Sequence, residues 1–340
     1  MRNKLNKLPY HKVENYSNVR LQAGNQIRVV KEHQYFIVDG VTITGDAPKA
    51  LMKIYQYDKC SNARKRNIQT WPTYIVKTGH KWYPVESLTE YLLNLLGVDF
   101  GLNMAESDIR WISGQLRFLS KFFLKEKNEE LIHGADVFAG FLGDKNFVEE
   151  IEENQLSRDL FTLQFVEKSL NYIFPYQKDD IMEGLVKMLI FDALVGNNDR
   201  HFYNWGIIRS LDNSEFPVFS PIYDTARGLF WNDSEEKIRK IWYDKNRLDF
   251  HIKKYSEASR PKIGWDGEKD INHFKLIEKI YNEEFYLSKY QQKALLLQPV
   301  FERMLFTVNV RFKKFFSKER IGLITKCLEY RYNYIERIMS

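Results

Sequence analysis

The sequence predicts an α+β fold in two lobes, a small antiparallel-sheet lobe over residues 1–125 and a mainly helical lobe over 126–340. Three observations carry that expectation. Short β-type runs bounded by turn residues fill Gln34 to Lys77 and recur between Ser107 and Phe123. A single strongly periodic helix separates these two groups of strands. Beyond residue 125 the dominant apolar spacing becomes helical.

The first β-type runs are Tyr35 to Val38, Val41 to Thr44, Leu51 to Tyr55 and Thr73 to Lys77. From Pro84 to Gly97, Leu88, Tyr91, Leu92, Leu95 and Leu96 fall at helical spacing, with Glu86 in the first turn and Gly97 as the expected stop. Ser107 to Ile112 and Gln115 to Phe123 complete the sheet, and Leu119 to Lys125 is the expected crossing between lobes. Helical patterns follow over Asn154 to Ile173 and Asp180 to Leu194, then β-type stretches at Trp205 to Ile208 and Pro217 to Phe219. From Glu268 to Ser340 the pattern is helical with aromatic faces. Asn232 to Gly264 is charged and weakly periodic, and reads as a flexible or substrate-facing insertion.

The formal charge of +6, from 51 basic and 45 acidic residues, is spread without dense blocks, and no basic stripe or helix-turn-helix pattern supports direct contact with nucleic acid. The two cysteines, Cys60 and Cys327, are far apart and form no metal-binding spacing, which suits a reducing cytoplasm. No apolar h-region follows the basic start, and no apolar run reaches the length of about 20 residues that spans a bilayer. The expectation is a cytoplasmic protein without membrane insertion, export without a cleaved leader staying open.

The chemistry concentrates in Asn197-Asn198-Asp199-Arg200-His201-Phe202-Tyr203-Asn204 and the later Tyr223-Asp224. Asp199 and Asn204 stand in a D-x-x-x-x-N arrangement, which puts a proton acceptor and a metal-binding amide on one tight turn. Asp224, after apolar Ile222-Tyr223, is the expected second metal ligand. His201 has no partner at metal spacing and reads as a brace for the loop. An Asx-rich turn between helix and strand is the plain alternative, but the preceding helix and the later Tyr-Asp pair count against it.

Phosphoryl transfer also needs a strand cation for the phosphates and a helix carboxylate to hold that cation. Lys77 ends its strand; Glu86 is the better partner by position and Glu90, one turn later on the same face, the alternative. Val41 to Lys49 lies where a phosphate-cradling loop belongs. Gly40 and Gly45 have Walker A spacing, but Asp46 occupies the lysine position, which excludes a P-loop NTPase.

In this order the pieces resemble the HipA family of serine/threonine kinases, toxin components of bacterial toxin–antitoxin systems, over roughly residues 35 to 235. Thr42 to Lys49 is similar to the family's S-x-x-G-x-Q-x-K phosphate loop, Tyr74 to Lys77 to its I-I-K strand, and Ile132 to Asp136 to its R-x-H-x-E-D segment. The resemblance implies a two-lobed protein-kinase-like fold and Mg2+ and ATP as cofactors. It implies nucleotide contacts from Thr42, Thr44, Gly45, Asp46, Ala47, Lys49, Lys77, Glu86, Asn204 and Asp224, with magnesium on Asn204 and Asp224. Thr42 matches the family's autophosphorylated serine, where added phosphate would repel ATP. A protein substrate and a possible antitoxin are the implied partners, and the short stretch before the sheet resembles the stand-alone members. Competing readings are a phosphoinositide-type lipid kinase, with the basic and aromatic residues between Arg239 and Lys254 as a membrane face, a nucleotide-binding pseudokinase, and more distantly a small-molecule phosphotransferase.

Overall fold

The computed structural model describes residues 8–24, 26–40, 47–56, 63–125, 128–154 and 156–340. A six-stranded sheet opens the fold, built from β1 (Val29–Val30), β2 (Tyr35–Ile37), β3 (Lys49–Ile54), β4 (Thr73–Lys77), β5 (Ser107–Ile112) and β6 (Gln115–Lys121), in the order β1-β5-β6-β4-β3-β2. Its pairings are antiparallel except for the two-residue β1, which lies parallel to β5. The expected run at Val41 to Thr44 falls outside the described residues.

Alternation along the strands splits this sheet into two faces. Leu116 and Phe118 of β6 and Ile109 of β5 join the main core under α1 (Val85–Phe100), whereas Leu119, Val76, Met52 and Ile54 form a smaller cluster on the other side. Leu88, Leu92 and Leu96 are fully buried beneath the sheet, as their spacing predicts. The helix does not stop at Gly97, which is buried inside it against Met104. It ends at Gly101, whose φ of 94° is the left-handed C-cap conformation that glycine adopts without penalty.

β6 keeps its register through Lys121, with Leu119 opposite Val76, so the crossing begins later than residue 119. The chain then enters a second, three-stranded antiparallel sheet of β7 (Glu129–His133), β8 (Gly206–Ser210) and β9 (Val218–Phe219). Between β7 and β8 come α2 (Gly134–Leu142), α3 (Lys145–Glu153), α4 (Ser157–Leu160), α5 (Leu163–Ile173) and α6 (Lys178–Val195). The helix expected over Asn154 to Ile173 is thus interrupted, because the Thr162 hydroxyl caps α5 by accepting the Phe165 N–H at 3.1 Å. α6 is buried nearly all round from Ile181 to Val195 and is the central helix of this half.

The remaining helices are α7 (Glu235–Trp242), α8 (Lys245–Ala258), α9 (His273–Asn282), α10 (Lys289–Leu295), α11 (Gln298–Phe306) and α12 (Lys318–Ile338), with a π-helical turn at Thr307–Arg311. The stretch from Asn232 to Gly264 is therefore not a flexible insertion. Ser234 and Asp244 cap two helices by accepting the N–H of Lys237 and of Arg247, and Ile238, Leu248 and Ile252 are buried. Short amphipathic helices rich in lysine and arginine carry few apolar positions, which hid their period. Among the described residues no helix is long and apolar enough to cross a membrane.

A Cβ at Gly322 of α12 would stand 2.1 Å from the Trp242 ring, so α7 packs against the backbone of α12. Gly322→Val should cost about 1–3 kcal/mol by overpacking, read from the midpoint of urea unfolding. An unchanged midpoint would show that this contact does not hold α7.

Candidate functional site

The two sheets and α6 bring Lys77, Glu90, Asp199, Asn204 and Asp224 to one cleft. Lys77 ends β4, is 6% exposed, and stands 2.7 Å from Glu90 Oε1 and 2.8 Å from Asp224 Oδ1. Glu90, not Glu86, is the helix partner. A helix rises about 6 Å over four residues, so Glu86 sits one turn farther toward the amino end of α1. Its Oε2 accepts the backbone N–H groups of Lys81 and Trp82 at 3.3 and 3.4 Å, tying down the loop before the helix.

Asp224 enters this cluster through the chain's own backbone. Ile222 exchanges hydrogen bonds with the link between α1 and β5, its N–H reaching Asn103 O at 2.8 Å and its carbonyl accepting from Ala105 N at 2.9 Å. Asp224 itself has φ 53°, in the left-handed region that Asp tolerates better than most residues. Lys49, at the start of β3, lies 3.5 Å from Asp224 Oδ2. Ala47 lies two residues before β3, and Thr42, Thr44, Gly45 and Asp46 are outside the described residues.

Burial pushes the Asp224 carboxyl up, but Lys77 and Lys49 overcome it and hold the group well below the usual carboxylate range. Burial opposes the charge on Lys77 as well, yet Asp224 and Glu90 keep it strongly protonated. Asp199 differs: burial holds its carboxyl above the usual range, with Arg227 and then His201 pulling the other way. Arg227 Nε lies 3.2 Å from Asp199 Oδ2.

The loop from Asn197 to Asn204 is closed by its own polar groups. The Asp199 N–H donates to Asn197 Oδ1 at 3.3 Å, and Asn204 Nδ2 donates to the Asp199 carbonyl at 2.7 Å. His201 braces the turn as its lack of metal-spaced partners suggested, its Nδ1 accepting the Tyr203 N–H at 3.2 Å. Beneath the turn Arg200 is 1% exposed. It donates to both Asp192 oxygens at 2.8 and 3.1 Å, to the carbonyls of Asn204 and Tyr223 at 2.9 and 2.8 Å, and to Thr225 Oγ1 at 2.7 Å. Asn197 Nδ2 adds a further bond to Asp192 Oδ1 at 2.9 Å.

Arg200 and Arg227 are the residues whose roles sequence reasoning did not resolve. Asp192 carried the usable signal for Arg200: a carboxylate inside the apolar run Leu189 to Val195 needs a buried cation. Arg227 had no such signal, since spacing alone does not say which carboxylate an arginine after Asp224 will reach.

A carboxylate and an amide oxygen are donors suited to magnesium, which takes its remaining ligands from water and substrate phosphates. Asp224 and Asn204 fit that pattern. Among the described residues no three His, Cys, Asp or Glu side chains converge as a closed metal centre.

A cation held by a helix glutamate on one sheet, facing a D-x-x-x-x-N turn and a lone aspartate beyond it, is the arrangement of a two-lobed kinase-like fold. Residues 41–285 match the HipA-like C-terminal domain family, and the chain belongs to that family. A curated relative, the serine/threonine-protein kinase CtkA of Helicobacter pylori, is 23% identical over 145 residues, 42% of this chain and 42% of the relative's own length. The solved structure of a Helicobacter pylori proinflammatory kinase CtkA superposes with a TM-score of 0.66 at 16% identity, covering 92% of this chain and 97% of that one. A Shewanella oneidensis toxin–antitoxin complex of HipA, HipB and operator DNA gives 0.49 at 15% identity, over 87% of this chain and 65% of that one.

Removing one member of a buried ion pair leaves the other charge unpaired, which typically costs about 3–5 kcal/mol. Arg200→Ala should lose stability of that order in chemical denaturation, because Asp192 has no exposure to water. A loss below about 1 kcal/mol would mean that Asp192 finds another partner.

Proposed function

We propose that this chain transfers the γ-phosphoryl group of ATP, with magnesium, to a serine or threonine hydroxyl of a protein. The observation that carries the reading is the convergence of the Lys77–Glu90 pair, Asp224 and the Asp199–Asn204 turn in one cleft. Bound Mg-ATP supplies the phosphoryl group and the metal charge that offsets its oxygens.

The protein's own groups then have separable tasks. Lys77, fixed by Glu90, and Lys49 are poised to move from Asp224 to phosphate oxygens. Asp224 and Asn204 are the proposed magnesium ligands, with Ala47 and the adjoining Thr42 to Asp46 as the proposed phosphate loop. Asp199 accepts the hydroxyl proton; a carboxylate above its ordinary range is a stronger base near neutral pH. Phe123, Tyr223 and His133 form an aromatic wall at the crossing between sheets, with ring centroids 5.9 and 6.0 Å apart, suited to a planar base. Autophosphorylation at Thr42, association with an antitoxin and a cytoplasmic site of action are further proposals that rest on family membership alone.

The protein acceptor is favoured over a lipid because the basic segment from Arg239 to Lys254 turns Ile241, Leu248 and Ile252 into the core and leaves two exposed aromatic side chains, Tyr243 and Phe250, as its outward apolar surface. γ-Labelled ATP with magnesium, offered with a protein mixture and with phosphoinositide vesicles, tests this. Label on protein, reduced about a hundredfold or more in Asp199→Ala and Asp224→Ala, is the expected result. Label on lipid would move the assignment to a lipid kinase, and ATP binding without any transfer would leave a pseudokinase.

Arg227 makes the pH dependence specific. Asp199 acts only when ionised, so activity falls as pH drops through its pKa. Arg227 favours the ionised form, so Arg227→Ala should raise that pKa and move the acidic limb of the kcat/KM profile to higher pH. An unmoved limb would mean that the limb does not report Asp199.

A further inference from the structure

The segment that follows α8 is anchored to the catalytic turn. Ser259 Oγ and the Arg260 N–H both donate to Asn198 Oδ1, at 2.8 and 3.0 Å, one residue before Asp199. On its other side Arg158 Nε donates to the Pro261 carbonyl at 2.8 Å, and Gly264 exchanges backbone hydrogen bonds with Phe161 and Leu163. Pro261, Ile263 and Trp265 are buried, and Lys262 between them is half-exposed. A flexible side chain is thus carried on a backbone fixed at both ends.

The neighbouring arginines already share a carboxylate. Arg158 and Arg260 both reach Asp270 Oδ1, at 3.2 and 3.0 Å. Lys262 has no ion pair among the described residues, and its charge bears on the Asp199 carboxylate. The cations bearing on Asp224 most strongly are instead Lys77 and Lys49, on the nucleotide side. Lys262 thus sits on the segment bonded to Asn198, next to Asp199, and is not among the lysines that pair with Asp224.

We infer that Lys262 selects the acceptor, its ammonium pairing with an acidic side chain next to the hydroxyl that is phosphorylated. This rests on the phosphotransfer reading above and adds to it a substrate class, protein acceptors whose serine or threonine is flanked by carboxylates.

Two serine peptides differing only in flanking glutamates or alanines, with γ-labelled ATP, give the test as a ratio of kcat/KM. The wild type should favour the acidic peptide about fivefold, the size of one partly screened ion pair. Lys262→Arg should keep the preference, Lys262→Ala should bring the ratio to about one, and Lys262→Glu should reverse it in favour of the alanine-flanked peptide. An equal ratio in the wild type, or an acidic preference that survives Lys262→Glu, overturns the inference. So does self-labelling with no transfer to either peptide, or label on phosphoinositide vesicles in their place. Absence of any transfer from ATP by the wild type removes the phosphotransfer reading itself and this inference with it.

Discussion

The buried contact between Arg200 and Asp192 is the constraint on which the site depends. Two charges taken from water are expensive, and the arrangement is tolerable only when the remaining hydrogen-bonding capacity is filled. Arginine has five N–H donors, and the bonds from Nε, Nη1 and Nη2 to Asp192, Asn204, Tyr223 and Thr225 account for each of them. These acceptors come from α6, from the end of the Asn197 to Asn204 turn and from both sides of Asp224. One guanidinium plane therefore sets the separation of Asp199 and Asp224. The backbone at Asn204 and Tyr223 cannot shift without breaking a bond to this buried donor.

With the backbones held, electrostatics divides the carboxylates. Asp224 and Asp199 occupy one cleft, but the first faces two lysines and the second an arginine and a histidine. One is pushed below the ordinary range and the other above it. Such a separation suits one group to hold cations and the other to take a proton. Lys77 and Lys49 both pair with Asp224, so the charges of the cleft are balanced against one another. Lys77 also has a second carboxylate partner, Glu90, at 2.7 Å.

Much of this was legible in the amino-acid pattern. The strand ending in Lys77, the periodic helix after it and the D-x-x-x-x-N turn each have a local signature, because backbone geometry dictates it. What failed is what tertiary distance decides. Glu86 and Glu90 share a helix face, and only the depth of Lys77 in the sheet discriminates between them. The helices α7 and α8 were missed because lysine and arginine stems cover surface without showing apolar period. Arg227 pairs with Asp199 across the fold, and no local spacing records such a contact.

The support of the Asn197 to Asn204 turn also extends past the part of the chain that matches the family. Arg331 of α12 is fully buried and donates to the Ala193 carbonyl at 2.7 Å and to the Ser256 carbonyl at 3.2 Å. Ala193 lies in the last turn of α6, just before the loop that carries Asp199, and Ser256 lies in the last turn of α8, just before Ser259. Ser259 in turn bonds both Asn198 and the buried His273 Nδ1, each at 2.8 Å. Burial holds the His273 imidazole well below its usual range. The final helix thus ties together the ends of α6 and α8, from which the turn carrying Asp199 and the segment carrying Lys262 follow. A carboxy-terminal element remote in sequence is part of the mount on which both sit.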